Sequence, residues 1–182
     1  MRAMQTDQAQ GNPARPGDAG EPFSPDFLAD LPYEPSVLLF DRLLEVDAEQ
    51  QLVRCRMPTD GPIPFMDRQR AHAVRHPSHV AGAAMIHATG MLGFVHAYCV
   101  LGLRHREGWI GYGTHIHKAV FRKLVPPGSP IEAACRATKL RLGRKRHLIR
   151  YEFKFTHEGE RCYEGDQTAM WMKLDPSQLT PS

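Results

Sequence analysis

The longest apolar stretch runs from residue 80 to 103, VAGAAMIHATGMLGFVHAYCVLGL, and holds no Asp, Glu, Lys or Arg. Its length alone would suit a membrane span. His87, His96 and the glycines at 82, 90, 93 and 102 argue instead for a helix buried at the centre of a soluble fold. Four segments after it, 108–125, 131–142, 147–157 and 161–174, alternate β-branched or aromatic residues with polar ones and are predicted as strands. Pro126-Pro127-Gly128, Gly143 and Glu158-Gly159 punctuate them. Ahead of the helix, apolar runs at 36–46 and 51–57 flank the polar turn 47–50 and predict a hairpin. Ser24 is placed to cap a short helix over 26–31, with Pro25 at its first position and Pro32 and Pro35 beyond its end. Residues 58–78 carry Pro58, Gly61, Pro62, Pro64 and Pro77 and read as a long loop, a kind that is often functional. The sum is an α+β protein in which an antiparallel sheet wraps one long helix.

A chain of 182 residues suits one domain. Residues 1–25 have too little apolar content to offset their ordering entropy and are expected to be a disordered tail. The domain is expected over 26–176, with a C-terminal tail at 177–182. Cys55, Cys99, Cys135 and Cys162 form no C-x-x-C pair, which excludes a disulfide framework or zinc ribbon and points to a reducing cytoplasm. The net charge of +3 is local in origin. Lys139, Arg141, Arg144, Lys145, Arg146 and Arg150 contribute +6, so the remainder sums to −3. A nucleic-acid binder should show a broader basic stripe with stacking aromatics, and none is present. The basic run reads as a solvated hairpin around Gly143, or as a docking patch, centred on Arg144, Lys145 and Arg146, for a phosphate-bearing carrier.

Ten histidines shift attention to the helix entrance. His72, His76 and His79 lie in the loop, and His87 lies on the helix. Histidine gives and takes protons near neutral pH, and a helix start offers free N–H groups to a developing oxyanion. Neither His72-x3-His76-x2-His79 nor His115-Ile116-His117 has a carboxylate or cysteine partner at a fixed spacing, so no metal and no cofactor are expected.

The segment His72-x3-His76-Pro77, then Gly82 and the apolar helix, resembles the H-F-P-G-H-P-V-M-P-G motif of the hot-dog-fold β-hydroxyacyl-carrier-protein dehydratases. Leu38-Leu39-Phe40-Asp41-Arg42 resembles that family's L-L-V-D-R strand, and Phe121-Arg122-Lys123 through Pro127-Gly128 its F-x-x-x-V-x-P-G element. The resemblance covers about 31–174 in register. It implies a homodimer with active sites at the subunit interface, acting on acyl thioesters of acyl carrier protein or coenzyme A in fatty acid or polyketide metabolism. It also implies His72 as base, with His76 and His79 as alternatives for that role, and the Gly82 N–H polarising the thioester carbonyl. The family acid, five residues past the glycine, is replaced here by His87, with Asp67 a candidate partner. His76, His79, Val80, Tyr112 and Phe121 are candidate substrate contacts. Dehydration is the expected reaction. Thioester hydrolysis on the same fold and non-catalytic acyl or carrier binding are the alternatives, with no nucleic acid and no membrane involved.

Overall fold

A computed structural model describes residues 20–70 and 72–175. Seven strands form one antiparallel sheet in the order β1-β2-β3-β5-β6-β7-β4. They are β1 (Glu21–Pro22), β2 (Arg42–Asp47), β3 (Leu52–Met57), β4 (Trp109–Phe121), β5 (Ile131–Leu142), β6 (Arg146–His157) and β7 (Glu160–Lys173). Two helices accompany them, α1 (Pro25–Asp30) and α2 (Gly82–Cys99). The predicted strands and long helix are all present, most with ends moved by four residues or fewer, but the first strand begins at Arg42 rather than at residue 36, because Pro35–Val37 form a 3-10 turn. No helix among the described residues is long and apolar enough to cross a membrane.

Ser24 caps α1 as expected, its hydroxyl accepting from the Phe27 amide at 3.2 Å. Residues 20–25, in contrast, are ordered, although they were expected to belong to a disordered tail. Glu21 and Pro22 pair with β2, and Phe23 is buried, because its ring packs on Phe27 at 5.1 Å. Residues 1–19 and 176–182 lie outside the described residues, so the rest of the two tails does too. At 47–50, Asp47 Oδ1 accepts from the Gln50 amide at 2.8 Å and turns the β2–β3 hairpin.

The core follows from the lack of charge on α2. Ala84, Met85, Ala88, Leu92 and Val95 are fully or almost fully buried. They meet Val53, Cys55 and Met57 of β3, Ile131, Ala133 and Cys135 of β5, and Ile149, Phe153 and Phe155 of β6 in one cluster. Inward and outward residues alternate along β5 and β6, the period-2 signature of a sheet with one face dry. Thr59 ties the long loop down by donating to the Ser129 carbonyl at 2.7 Å and accepting from the Gly128 amide at 3.0 Å.

His96 is the polar exception on the inner face of α2. It is fully buried, with Tyr151 Oη 3.4 Å from its Nδ1 and Nε2 unpaired. Desolvation lowers its pKa from an ordinary 6.5 to about 4. Between those values the unfolded chain binds a proton that the folded chain refuses, so stability is lost as pH falls through that window. The loss approaches about 3 kcal/mol at pH 4. Urea unfolding across pH 7 to 4 should show this slope, and His96→Leu should flatten it.

Candidate active site

A cavity of about 260 Å³ opens along one face of α2. Ile86, His87, Gly90, Gly93 and Phe94 line it from the helix, Gly111 and Tyr112 from β4, Tyr151 from β6, and Gln167 and Trp171 from β7. Tyr33 reaches it from the turn after α1. Gln167 donates to Thr89 Oγ1 at 2.7 Å, and Thr89 donates to the Ile86 carbonyl at 2.6 Å, so these polar groups are spent on one another.

His87 sits on this cavity with its protonation pattern set by one bond. Its Nε2 lies 2.7 Å from the Val37 carbonyl oxygen. A carbonyl only accepts, so Nε2 carries the proton and Nδ1 is the ring's open nitrogen. Val37 is positioned by a short 3-10 turn, Pro35–Val37, whose proline presets the backbone. Asp67 is not a partner of His87: it is exposed and pairs with Arg68 at 3.3 Å.

The loop histidines differ from one another in the same way. His72 is exposed, and its Nδ1 accepts from the amides of Val74 at 3.2 Å and Arg75 at 3.0 Å. Its main chain exchanges two hydrogen bonds with His76. An amide only donates, so the His72 proton sits on Nε2 and the ring closes its own turn. As placed it offers a donor rather than the base expected of it. His79 is the reverse. Its Nδ1 donates to the Pro77 carbonyl at 2.8 Å, which leaves Nε2 as an open acceptor. Gln69 brackets its main chain with bonds of 2.8 and 3.1 Å, and His76 stands edge-on at 5.0 Å.

No side chain caps α2 at Ala81 or Gly82, so its first amides remain available to an anion. A Cβ on Gly82 would lie 2.8 Å from the Phe121 ring, so glycine lets that ring close over the helix start. Tyr112 lines the cavity. Val80 does not. It is buried, its amide donates to the Val125 carbonyl at 2.8 Å, and it belongs to the core.

His115 and His117 stack in parallel 5.7 Å apart on exposed β4, and His117 Nε2 lies 2.7 Å from Thr168 Oγ1. Among the described residues no three His, Cys, Asp or Glu side chains come together as metal ligands. Burial pushes the Cys55 and Cys135 thiols well above their usual range, which removes them as nucleophiles. Arg144, Lys145 and Arg146 are exposed at the β5–β6 tip. Arg146 pairs with Met172, whereas Phe121, beside the helix start, pairs with Tyr163. Nine residues of β7 separate those partners, about 30 Å. The basic tip therefore lies at the opposite end of its own sheet from the helix entrance.

No family model matches the chain. It is 30% identical over 150 residues to the 3-hydroxyacyl-acyl-carrier-protein dehydratase FabZ of Bartonella quintana, covering 82% of this chain and 90% of that one. The Bartonella henselae FabZ is 29% identical over 148 residues, covering 81% and 88%. Among solved structures, a thioesterase variant from Pseudomonas aeruginosa superposes with a TM-score of 0.54 at 19% identity, over 81% of this chain and 92% of that one. A Staphylococcus aureus protein described as hypothetical does so at 0.51 and 14%, over 72% and 93%.

A long apolar helix wrapped by one antiparallel sheet, with an uncapped helix start and a cavity alongside, is the hot-dog fold. Within that fold, the chain belongs to the FabZ-type 3-hydroxyacyl-acyl-carrier-protein dehydratase family.

Four residues about the site were missing from the sequence-based expectation: Val37 with its carbonyl, Gln69, Gly90 and Gly93. A main-chain acceptor has no sequence signature, and Gln69 stands ten residues from the histidine it holds. Long-range imidazole nitrogen spectra should find His87 and His72 as Nε2–H tautomers and His79 as Nδ1–H. An Nδ1–H signal from His87 would contradict the Val37 bond.

Proposed function

We propose that this protein dehydrates a β-hydroxyacyl thioester, with His87 moving the proton. The observation that carries this is the cavity-lining His87, whose Nε2–H is held by Val37 and whose Nδ1 is open. The FabZ relatives supply the reaction class. The thioester carbonyl would rest at the uncapped start of α2, where the Gly82 amide and the helix dipole stabilise the oxyanion that builds as the α-proton leaves. His87 Nδ1 takes that proton and becomes imidazolium, with Nε2–H still bonded to Val37. The same proton then passes to the β-hydroxyl. The C–O bond breaks, a carbon–carbon double bond forms, water departs and neutral His87 returns. One imidazole thus does the work of the family's histidine and carboxylate together, and His72 is left to shape the loop.

The substrate is proposed to arrive on acyl carrier protein or coenzyme A, in fatty acid or polyketide assembly in the cytoplasm. The free cysteines fit a reducing compartment. Arg144, Lys145 and Arg146 stand too far from the helix start to dock that carrier for their own chain. Arg70 and Arg75, exposed on the segment leading into the helix, are better placed. A second copy is proposed to pair along β4, an edge strand that exposes Tyr112, Ile116 and Phe121. Hydrolysis is the second reading, because an open Nδ1 also deprotonates water.

β-Hydroxyacyl and plain acyl thioesters, followed for enoyl product and for free thiol, separate these readings. Enoyl formation is expected. Thiol release from both substrates would favour hydrolysis, and binding without turnover would favour a carrier-binding role. His87→Ala should cost about a hundredfold or more in kcat, the usual contribution of an acid–base group. His72→Ala should cost less than about tenfold. The reverse order would return the base to His72.

A further inference from the structure

We propose that Gly90 and Gly93 set the length and bulk of the acyl group, by keeping open the channel through which it runs away from His87. This rests on the cavity being the acyl-thioester site. Glycine inside a helix is disfavoured relative to alanine, so each one calls for a reason. At Gly82, where α2 begins, contact supplies it: a Cβ would lie 2.8 Å from the Phe121 ring. Gly90 and Gly93 have no such neighbour. A Cβ at either meets nothing within 4 Å, and neither has a positive φ. What their bareness preserves is space.

Both glycines line the cavity. At about 100° per residue, Gly90 falls between Ile86 and His87 around the helix, at the middle of the lined face. Along the axis it lies about 4.5 Å past His87, and Gly93 about 9 Å past it. Phe94 and Trp171 stand beyond, edge to face at 5.2 Å. Helical side chains lean towards the N-terminus, so a side chain at 93 would project back across the path of a long acyl chain. A methyl at 90 would narrow the space beside the reacting carbons.

The test compares β-hydroxybutyryl and β-hydroxydecanoyl thioester turnover in the wild type, Gly90→Ala, Gly93→Ala and Gly93→Leu. Calorimetric binding of butyl and decyl pantetheine thioethers, and mass by light scattering, run alongside. In Gly93→Leu the preference for the long chain is expected to fall about tenfold or more, in turnover and in binding, since several methylenes lose their place. The alanine variants should shift less and melt a few degrees higher. An unchanged preference overturns the proposal. So does a changed mass with unchanged preference, which would assign the space to a second copy. A wild type that binds the decyl thioether without turning either substrate over counts against the dehydratase reading alone, and the binding profile then decides the channel. A wild type that binds neither thioether overturns both.

Discussion

The rest of the molecule answers to the need to cover α2. Its 18 residues include no Asp, Glu, Lys or Arg, so water on any side would meet apolar surface. The sheet curls because of this, and the polar atoms left on the helix are settled within the fold. Thr89 turns to the Ile86 carbonyl and His87 to the Val37 carbonyl, while His96 stands beside Tyr151 with one nitrogen unsatisfied. Cover is incomplete along the face of α2 that meets the cavity, where Gly90 is exposed and Ile86, His87 and Phe94 are half-buried. Site and core are thus two outcomes of one burial problem, divided by where the side chains stop.

Much of this was legible in the sequence, and what was missed has a common cause. Alternation fixed the strands of the β5–β6–β7 meander because one face of each is dry, and Ser24-Pro25 marked the short helix because capping is local. Residues 20–24 were misjudged because one buried ring, Phe23, outweighs their polar composition. His87 stood out by its place five residues after Gly82, and it lines the cavity. Which histidine nitrogen is free was not visible, since that depends on backbone groups 50 residues away in the case of Val37. The basic run was legible as charge but not as position, because register places it at the far end of β7.

A histidine at position 87, where the motif resemblance implies a carboxylate, alters the chemistry in a definite way. A carboxylate has two oxygens that both accept, so neighbours can occupy one and leave the other. An imidazole has one nitrogen of each kind when neutral, and whichever partner takes one fixes the character of the other. With Nε2–H held by a carbonyl, Nδ1 alternates between acceptor and donor as the ring gains and loses a proton, and the anchoring bond survives both states.

That anchor is a main-chain oxygen, and this bears on how the site can change over generations. No substitution at Val37 deletes its carbonyl, so the orientation of His87 is insulated from the commonest kind of genetic change at the very residue that sets it. Variation can reach it only through the shape of the Pro35–Val37 turn or through His87 itself. The groups lining the cavity enjoy no such shelter. The fold therefore separates a part of the cavity that resists drift from a part free to be remodelled; under the proposed reaction, substrate range can diversify while the proton chemistry stays put.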